Sequence, residues 1–406
     1  MALLDELHAR GFVQQCSDED ALAARLAEGP VTVYAGFDPT ADSLHVGHLL
    51  PLLMLAHFQR AGNRVVALMG GGTGLIGDPS FKTETRMLLD EAAVAANVAK
   101  QAAQVRRFLD VDDPARGVLA DNASWLSGLQ YLPFLREIGA LFSVNRMLAA
   151  EGYRQRLERG LSFIEFNYQL LQAYDFLVLH ERMGVDVQVG GDDQWGNILA
   201  GVDLVRRKHA HQVFALTLPL LTTASGAKMG KTVAGAVWLD ADKLPVFDFY
   251  QYWVNVDDRD VGRFLRLFTF LPLDRVAALE ALHGPAVREA KAVLAWEVTA
   301  LVHGATAADE ARAAAGAMVA GAASDDLPTH EVDRAALEAG LPLYALLADA
   351  GLVASRSEAR RMLQGGGVKL GGDRVDDVEA VLTADQVGDG LVVRVGKKRA
   401  ARVVVR

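Results

Sequence analysis

Short apolar runs alternate with a longer helical pattern in the first part of the chain. The runs 31–37 and 64–70 are rich in β-branched and aromatic residues and indicate buried strands. Residues 46–62 between them show a helical pattern ending at Gly62, and Pro51 fits this helix if it begins near His48, where first-turn N–H groups lack intrahelical partners. Strand, helix and strand at this spacing predict a parallel α/β sheet with a right-handed crossover.

The remaining pattern predicts a helical middle and a mixed tail. The composition of 84–160 is mainly helical, and a proline-containing polar stretch at 322–330 is typical of a linker. The other expected elements are helices over 161–184, 243–320 and 355–364, and strands over 185–191 and around 367–370, 391–396 and 402–405.

Composition narrows the class of protein. The 406 residues are enough for two to three domains, and 51% hydrophobic with 23% charged residues is ordinary for a soluble globular chain. Asp5 and Glu6 stand where a signal peptide would need cations, and no uncharged apolar stretch reaches the length of a membrane span. Cys16 is the single cysteine, which excludes an intrachain disulfide and a cysteine-based zinc site. We therefore expect a cytoplasmic protein without membrane association.

The net charge of −10 is unevenly distributed. From residue 351 onward, eleven Lys or Arg residues face seven Asp or Glu residues, so the tail is basic although the chain is acidic. An acidic body with a basic tail is compatible with a specific nucleic-acid contact made by the tail.

The segment PTADSLHVGH (39–48) places His45 and His48 three residues apart at the start of the predicted helix. They could be structural or surface residues, or half of a metal site, although the further ligands that zinc requires are not clustered nearby. They could also bind phosphate, because a helix N-terminus offers free N–H groups and a favourable dipole, and Gly47 would allow close approach.

The run GTGLIG (72–77) matches the glycine pattern of dinucleotide-binding loops and raises the alternative of a nicotinamide-dependent oxidoreductase. Asp78 and Pro79 follow where that fingerprint requires a continuing helix. The context therefore argues against this alternative.

A polar stripe marks the predicted helix 161–184. Tyr168, Gln172 and Asp175 are spaced i, i+4 and i+7, which puts them on one face among apolar residues. They could form a structural hydrogen-bond network or hold a small ligand with polar ends and an aromatic body.

Two later loops could complete a ligand site. GGDDQWGN (190–197) follows a predicted strand and so opens at the carboxyl edge of the sheet, where α/β proteins bind ligands. ASGAKMGKT (224–232) could be a solvated surface loop, or a mobile loop that brings Lys228 and Lys231 to a triphosphate.

The order of these motifs resembles that of class I aminoacyl-tRNA synthetases. HVGH and KMGKT look like the two signature sequences of that class. YAGFDPTADSLHVGH, GLIGDPS, NYQLLQAYD and GGDDQWGN together resemble bacterial tyrosyl-tRNA synthetases, and SRSEARRMLQGGGVKLGG is similar to a small RNA-binding fold shared with a ribosomal protein. The resemblance implies a Rossmann-like parallel-sheet catalytic domain with a helical insertion, an α-helical tRNA-binding domain that begins with the second signature loop, a linker and a small α+β RNA-binding domain. Their expected ranges are 1–223, 224–325, 326–338 and 339–406.

The resemblance also implies a two-step reaction. The carboxylate of L-tyrosine would attack the α-phosphate of ATP, accompanied by Mg²⁺ and without a protein-bound metal, and the tyrosyl group would then pass to tRNA. Matching motif positions assign catalytic contacts to the phosphates to Thr40, His45, His48, Lys82, Arg86, Lys228, Lys231 and Thr232. The residues implied for tyrosine are Tyr34, Asp78, Tyr168, Gln172, Asp175 and Gln194; for the adenylate, Gly36, Asp38, Gly191 and Asp193; and for RNA, Arg356, Arg360, Arg361 and Lys369. A homodimer through the region near 120–165 is also implied.

Two other functions remain open at this point. Tryptophanyl-tRNA synthetases share the signatures, although Tyr34 and the stripe favour tyrosine and that family normally lacks the basic C-terminal module. A non-catalytic RNA-binding protein with a synthetase-like body is the second, and the intact His, Lys and Asp set argues against it.

Overall fold

The computed structural model describes residues 2–78, 89–149, 153, 157, 160–224, 226, 229–232, 235–320, 327–388, 390–396 and 399–406, with backbone alone at 231–232 and 319–320. The chain forms two compact units, Met1–Ala305 and Thr306–Arg406. The predicted division of the first 325 residues at 223/224 stays a prediction.

A six-stranded sheet forms the centre of the first unit. Its strands are β1 (Gln15–Cys16), β2 (Thr32–Phe37), β3 (Arg64–Met69), β4 (Gly117–Asp121), β5 (Val185–Gly191) and β6 (Phe214–Leu218). The spatial order is β1-β6-β5-β2-β3-β4, with β2 to β6 parallel and only β1 antiparallel. The central strands are apolar on both faces because helices cover both sides of a parallel sheet. The predicted parallel α/β class is confirmed.

Helices of the first unit surround this sheet and continue beyond it. They are α1 (Leu3–Arg10), α2 (Glu19–Glu28), α3 (Val46–Arg60), α4 (Glu91–Val105), α5 (Ala123–Leu126), α6 (Tyr131–Glu137), α7 (Val144–Ala149), α8 (Phe163–Met183), α9 (Trp195–His209), α10 (Val246–Val254), α11 (Val261–Phe268), α12 (Leu273–Glu280) and α13 (Val287–His303). Two-residue strands β7 (Lys231–Thr232) and β8 (Gly235–Ala236) pair with each other. No helix among the described residues is long and apolar enough to cross a bilayer.

Local signals explain the long helix α8. At its start, the Ser162 hydroxyl accepts a hydrogen bond from the Glu165 backbone N–H, and the Glu165 carboxylate accepts one from the Ser162 N–H. At its end, Gly184 takes the left-handed conformation with φ 66°. The helix predicted over 161–184 is therefore confirmed, and the strand predicted over 185–191 has those bounds.

The helix predicted over 46–62 runs from Val46 to Arg60. It begins two residues before His48, so Pro51 lies inside the helix, where it has no N–H to donate to the Gly47 carbonyl. Within 84–160, which was expected to be mainly helical, Gly117–Asp121 is an exception and forms strand β4, which pairs with β3 at the sheet edge.

The second unit is a small α+β domain preceded by a helix. Its elements are α14 (Ala305–Ala320), β9 (Thr329–Val332), α15 (Arg334–Glu338), β10 (Leu341–Pro342), α16 (Leu343–Asp349), α17 (Arg356–Gln364), β11 (Val368–Leu370), β12 (Asp373–Val375), β13 (Val381–Leu382), α18 (Ala384–Val387), β14 (Leu391–Val395) and β15 (Arg399–Val405). Strand β9 pairs in parallel with β15. The linker predicted over 326–338 is therefore wrong from residue 329 onward, because this segment completes the sheet and its core.

Candidate active site

The candidate site lies at the carboxyl edge of the sheet between β2 and β5. From β2 the chain proceeds through β3 and β4 to one side, whereas β5 and β6 lie on the other. Strand order reverses here, and open α/β sheets bind ligands in the crevice at such a point.

His45 and His48 form a reciprocal cap at the start of α3. The Nδ1 atom of His45 accepts a hydrogen bond from the Gly47 N–H at 3.0 Å, and the Nδ1 atom of His48 accepts one from the His45 N–H at 3.1 Å. A neutral imidazole that accepts at Nδ1 carries its proton on Nε2. Burial, together with the neighbouring His45, lowers the pKa of His48 to about 3, so its ring is a neutral N–H donor near pH 7.

This cap bears on the three interpretations of the histidine pair. Both Nδ1 lone pairs are used within the helix start, and the described residues contain no group of three His, Cys, Asp or Glu suited to a metal. The rings are thus structural, yet their Nε2 donors stand at the positive end of a helix. The structure favours the anion-binding interpretation over the metal interpretation.

The second signature meets the first through the backbone. Gly230, with φ +85°, lies so that a Cβ atom there would be 3.5 Å from the Gly47 nitrogen. The Val46 N–H donates to the Val237 carbonyl at 2.9 Å. A Cβ atom on Gly47 would come within 2.7 Å of the His45 ring, so the position of that ring over residue 47 requires glycine there. The two signature segments are therefore neighbours although they lie far apart in sequence.

The predicted phosphate contacts are only partly visible. The side chain of Thr40 is exposed just before the helix. Lys82, Arg86 and Lys228 lie outside the described residues, and Lys231 and Thr232 are described only as the backbone of β7.

Asp175 is a buried carboxylate at the base of the site. Its Oδ2 atom accepts a hydrogen bond from Asn122 Nδ2 at 2.8 Å, and its Oδ1 atom accepts one from Trp125 Nε1 at 2.7 Å. Burial raises the pKa of this carboxyl group to about 7, while the two hydrogen bonds oppose that shift. Asp175 can therefore change its charge near neutral pH.

Tyr34 and Gln172 carry buried polar atoms that lack partners in the described part of the chain. The Tyr34 hydroxyl and the Gln172 Oε1 atom accept or donate no hydrogen bond there. Burial and the nearby Asp175 raise the pKa of Tyr34 well above its usual value, which keeps the hydroxyl protonated. Buried polar groups are nearly always satisfied, so these two atoms could each take a hydrogen bond from a bound polar group.

The other members of the predicted tyrosine set bond to site residues. Tyr168 Oη donates to Asp38 Oδ2 of the predicted adenylate set at 3.0 Å, and Gln194 Nε2 donates to Asp78 Oδ2 within the tyrosine set at 2.8 Å. On α8, Tyr168 and Asp175 thus belong to a hydrogen-bond network. The ligand interpretation of the stripe stays a prediction.

The predicted adenylate residues lie at the ends of β2 and β5. Gly36 is exposed in β2, and Gly191 is the last residue of β5. The Asp193 carboxylate lies directly against the Gly191 backbone, in the space that a Cβ atom would need. Of these two glycines, Gly36 in β2 is the exposed one.

Four candidate residues were missed in the sequence. Thr73 Oγ1 donates to Asp38 Oδ1 at 3.1 Å and accepts from Asn122 Nδ2 at 3.0 Å, which links the two ends of the site. Gln188 pairs with Tyr34 across β5 and β2, and its buried Oε1 atom has no partner in the described structure. Asn122 and Trp125 follow β4, and recognising that strand would have placed them at the same sheet edge.

The glycine run 72–77 does not form a dinucleotide-binding turn. It contains a short 3₁₀ helix, Thr73–Leu75, and not the start of an α-helix. The structure therefore gives no support to the oxidoreductase alternative.

The predicted RNA-binding residues lie in the second unit. Arg356, Arg360, Arg361 and Lys369 are exposed on α17 and β11. The Arg360 guanidinium lies 4.0 Å from the centre of the Tyr344 ring. These cations are thus available at the surface of that domain.

Comparison with known protein families covers nearly the whole chain. Residues 26–320 match the family of class I tRNA synthetases for tryptophan and tyrosine. Residues 319–403 match the C-terminal domain of tyrosine–tRNA ligases of the SYY type.

Similar proteins agree with these families. Tyrosine–tRNA ligase of Xanthobacter autotrophicus is 53% identical over 98% of this chain and 96% of that protein. The enzyme of Desulfosudis oleivorans is 49% identical over 100% and 99% of the respective chains. The truncated mitochondrial tyrosyl-tRNA synthetase of Aspergillus nidulans superposes with a TM-score of 0.69 at 33% identity, over 77% of this chain and 92% of that one. With a parallel sheet, a capped HVGH turn and these relatives, the chain belongs to the tyrosine–tRNA ligase family of class I aminoacyl-tRNA synthetases.

Proposed function

We propose that the chain activates L-tyrosine with ATP to tyrosyl-adenylate and then transfers the tyrosyl group to tRNA(Tyr). The observation that carries this proposal is the pair of buried, unpartnered polar atoms at Tyr34 and Gln172, next to the Asp175 carboxylate. An amino acid with a phenol at one end and an ammonium group at the other would satisfy them.

The phenol end sets the choice of amino acid. The tyrosine hydroxyl would donate to the Asp175 carboxylate and accept from the Tyr34 hydroxyl. Phenylalanine would leave both buried groups without a ligand partner, which is costly. Tyrosyl-tRNA synthetases as a class reject phenylalanine on this ground.

The α-amino end would meet Asp78, Tyr168 and Gln172, with Gln194 on the carboxylate side. Gln194 already donates to Asp78. A zwitterion bound between these groups would present its carboxylate toward the ends of β2 and β5, where the exposed backbone of Gly36 leaves room for the α-phosphate.

Activation needs no catalytic base, because the tyrosine carboxylate is ionised at neutral pH. Its oxygen forms a bond to the α-phosphorus, and the bond from that phosphorus to the pyrophosphate oxygen breaks. Catalysis then consists of positioning and charge stabilisation. His45, His48 and Thr40 would donate hydrogen bonds to the phosphates, and Lys82, Arg86, Lys228 and Lys231, with Thr232 beside them, would neutralise the departing pyrophosphate. Mg²⁺ would enter with ATP as part of the substrate.

The second unit would bind tRNA. Its exposed cations Arg356, Arg360, Arg361 and Lys369 suit phosphate contacts, which position a nucleic acid without reading its sequence. Since charged tRNA is consumed by ribosomes, we place the reaction in the cytoplasm.

A homodimer is part of the proposal. Six large apolar side chains are exposed among the described residues of 131–164, including Leu132 at 75% and Phe163 at 68%. Concentrated exposed apolar residues are typical of protein interfaces. Leu132→Asp should yield monomers in sedimentation velocity, whereas Val381→Asp, at an exposed apolar site of the second unit, should not. Unchanged dimers in the first variant, or monomeric wild type, would reject this interface.

The central test is the amino-acid-dependent exchange of pyrophosphate into ATP. We expect exchange with tyrosine and none with tryptophan or phenylalanine at equal concentration. Exchange with tryptophan would favour the tryptophanyl alternative. No exchange with any amino acid would favour a non-catalytic RNA-binding protein.

A further inference from the structure

Helix α4 carries a polar face on an otherwise alanine-rich sequence. Asn97, Lys100, Gln101 and Gln104 are spaced i, i+3, i+4 and i+7, so they line one face of the helix. Gln101 and Gln104 are buried, and buried amides require hydrogen-bond partners.

Their partners lie in the loop that precedes the HVGH turn. Gln104 Oε1 accepts from the Leu44 N–H at 2.8 Å, and Gln104 Nε2 donates to Ser43 Oγ at 3.0 Å. Gln101 Nε2 donates to the Ala41 carbonyl at 2.8 Å, while its buried Oε1 atom has no partner among the described residues. The two amide groups thus bind the main chain of Ala41 and Leu44 and the hydroxyl of Ser43.

Two further side chains of α4 bind the same loop at Pro39 and Asp42, and Lys243 binds Asp42 from outside the helix. Asn97 Nδ2 donates to the Pro39 carbonyl at 3.0 Å. Asp42 accepts from Lys100 at 3.0 Å and also pairs with Lys243, which follows the second signature segment. One of these side chains therefore binds every residue from 39 to 44 except Thr40. The side chain of Thr40 is exposed, and the proposed function assigns its hydroxyl to ATP.

We propose that this face of α4, centred on Gln104, is a positioning device for the ATP-binding turn. It rests on the proposed function, because its role is to hold Thr40 and the His45 cap where the phosphates of the transition state will lie. Gln104 binds the residue directly before His45, so its loss frees the loop at the point where the cap begins. Misplacement of a binding group by about 1 Å can cost about a hundredfold in rate.

Gln59 provides a matched control for Gln104. It is 8% exposed against 6% for Gln104, and it also holds a loop, accepting from the Asp110 N–H at 3.0 Å and donating to the Asp110 carbonyl at 2.8 Å. That loop lies before β4 and is not part of the site. Exchange of either glutamine for methionine removes the same kind of bonds at nearly equal volume.

The test compares Gln104→Met and Gln59→Met in the full chain by single-turnover adenylate formation, tyrosine affinity and Tm. We expect similar losses of Tm, a rate at least about tenfold lower in Gln104→Met alone, and tyrosine affinity within about twofold of wild type in both. Asn97→Ala, at a half-exposed site, should show a smaller loss of rate at unchanged tyrosine affinity, and it serves if Gln104→Met does not fold.

Three results would overturn the positioning role. They are a normal rate in the α4 variants, an equal slowing by Gln59→Met, or a parallel loss of tyrosine affinity and rate. Wild-type protein that forms no adenylate would instead reject the proposed function.

Discussion

Trp125→Phe should weaken tyrosine binding through the charge of Asp175, not through contact with the ligand. The exchange removes the indole N–H that donates to Asp175 Oδ1 at 2.7 Å and keeps an aromatic ring. A hydrogen bond to a charged group contributes about 1.5–3 kcal/mol, which corresponds to about 1–2 pKa units. The pKa of Asp175, about 7 in the free protein, should therefore rise to about 8–9.

The size of the effect follows from the ionised fraction of that carboxyl group. At pH 7.5 it should fall from about three quarters to about a quarter or less, and the dissociation constant of tyrosine should rise about threefold or more. Near pH 9 most of the difference should disappear, because a much larger fraction is then ionised in the variant. Equilibrium binding of tyrosine between pH 6 and 9 measures this, with Trp296→Phe as a control for the same exchange outside the site.

An equal loss of affinity at every pH would refute this reasoning. It would mean that the indole supports the pocket by packing and that the charge of Asp175 is not what the phenol requires. An unchanged pH midpoint with normal affinity would show that water replaces the lost donor.

Four further outcomes are expected. His48→Ala should slow adenylate formation by tenfold or more, as about 1.4 kcal/mol of transition-state binding implies, while tyrosine affinity changes little; equal losses in rapid-quench and binding assays would contradict its phosphate role. Tyr34→Phe should narrow the preference for tyrosine over phenylalanine in pyrophosphate exchange, and unchanged selectivity would count against the phenol contact. Truncation after Ala320 should leave exchange intact and abolish tRNA charging; persistent charging would assign tRNA binding elsewhere. Burial lowers the pKa of His57 to about 4, so the unfolded state takes up a proton first below about pH 6.5. Stability should then fall by up to about 1.4 kcal/mol per pH unit for this group, and His57→Phe should flatten the urea-unfolding profile between pH 6.5 and 4.

The sequence predicted the parts of the fold whose signals are local. Helix α8 was predicted over 161–184, up to Gly184, and the apolar runs marked β2, β3 and β5. Strand β4 was missed because it is short, half-buried at the sheet edge and embedded in helical composition. Strand β9 was missed because its residues pair with β15, about 70 positions later in the chain, and only that pairing makes them a strand.

In the candidate site, too, contacts within one element were predictable from the sequence, whereas contacts between elements were not. Tyr168, Gln172 and Asp175 share a helix face, so their spacing predicted their proximity. Asn122 and Trp125 reach Asp175 from another element, and no periodicity connects them. The HVGH turn was predicted as a phosphate site, whereas the reciprocal hydrogen bonds of its rings are visible only in three dimensions.

That reciprocal cap sets helix stability against the proposed phosphate contact at one position. Histidine is not among the residues preferred at a helix N-cap, where Ser, Thr, Asp or Asn would satisfy the same backbone donor. Replacing His45 with Asp would therefore suit the start of α3, yet it would remove the imidazole N–H and place a negative charge where the proposed function puts the phosphates. Under that function, selection for heat resistance would favour an exchange that selection for catalysis forbids.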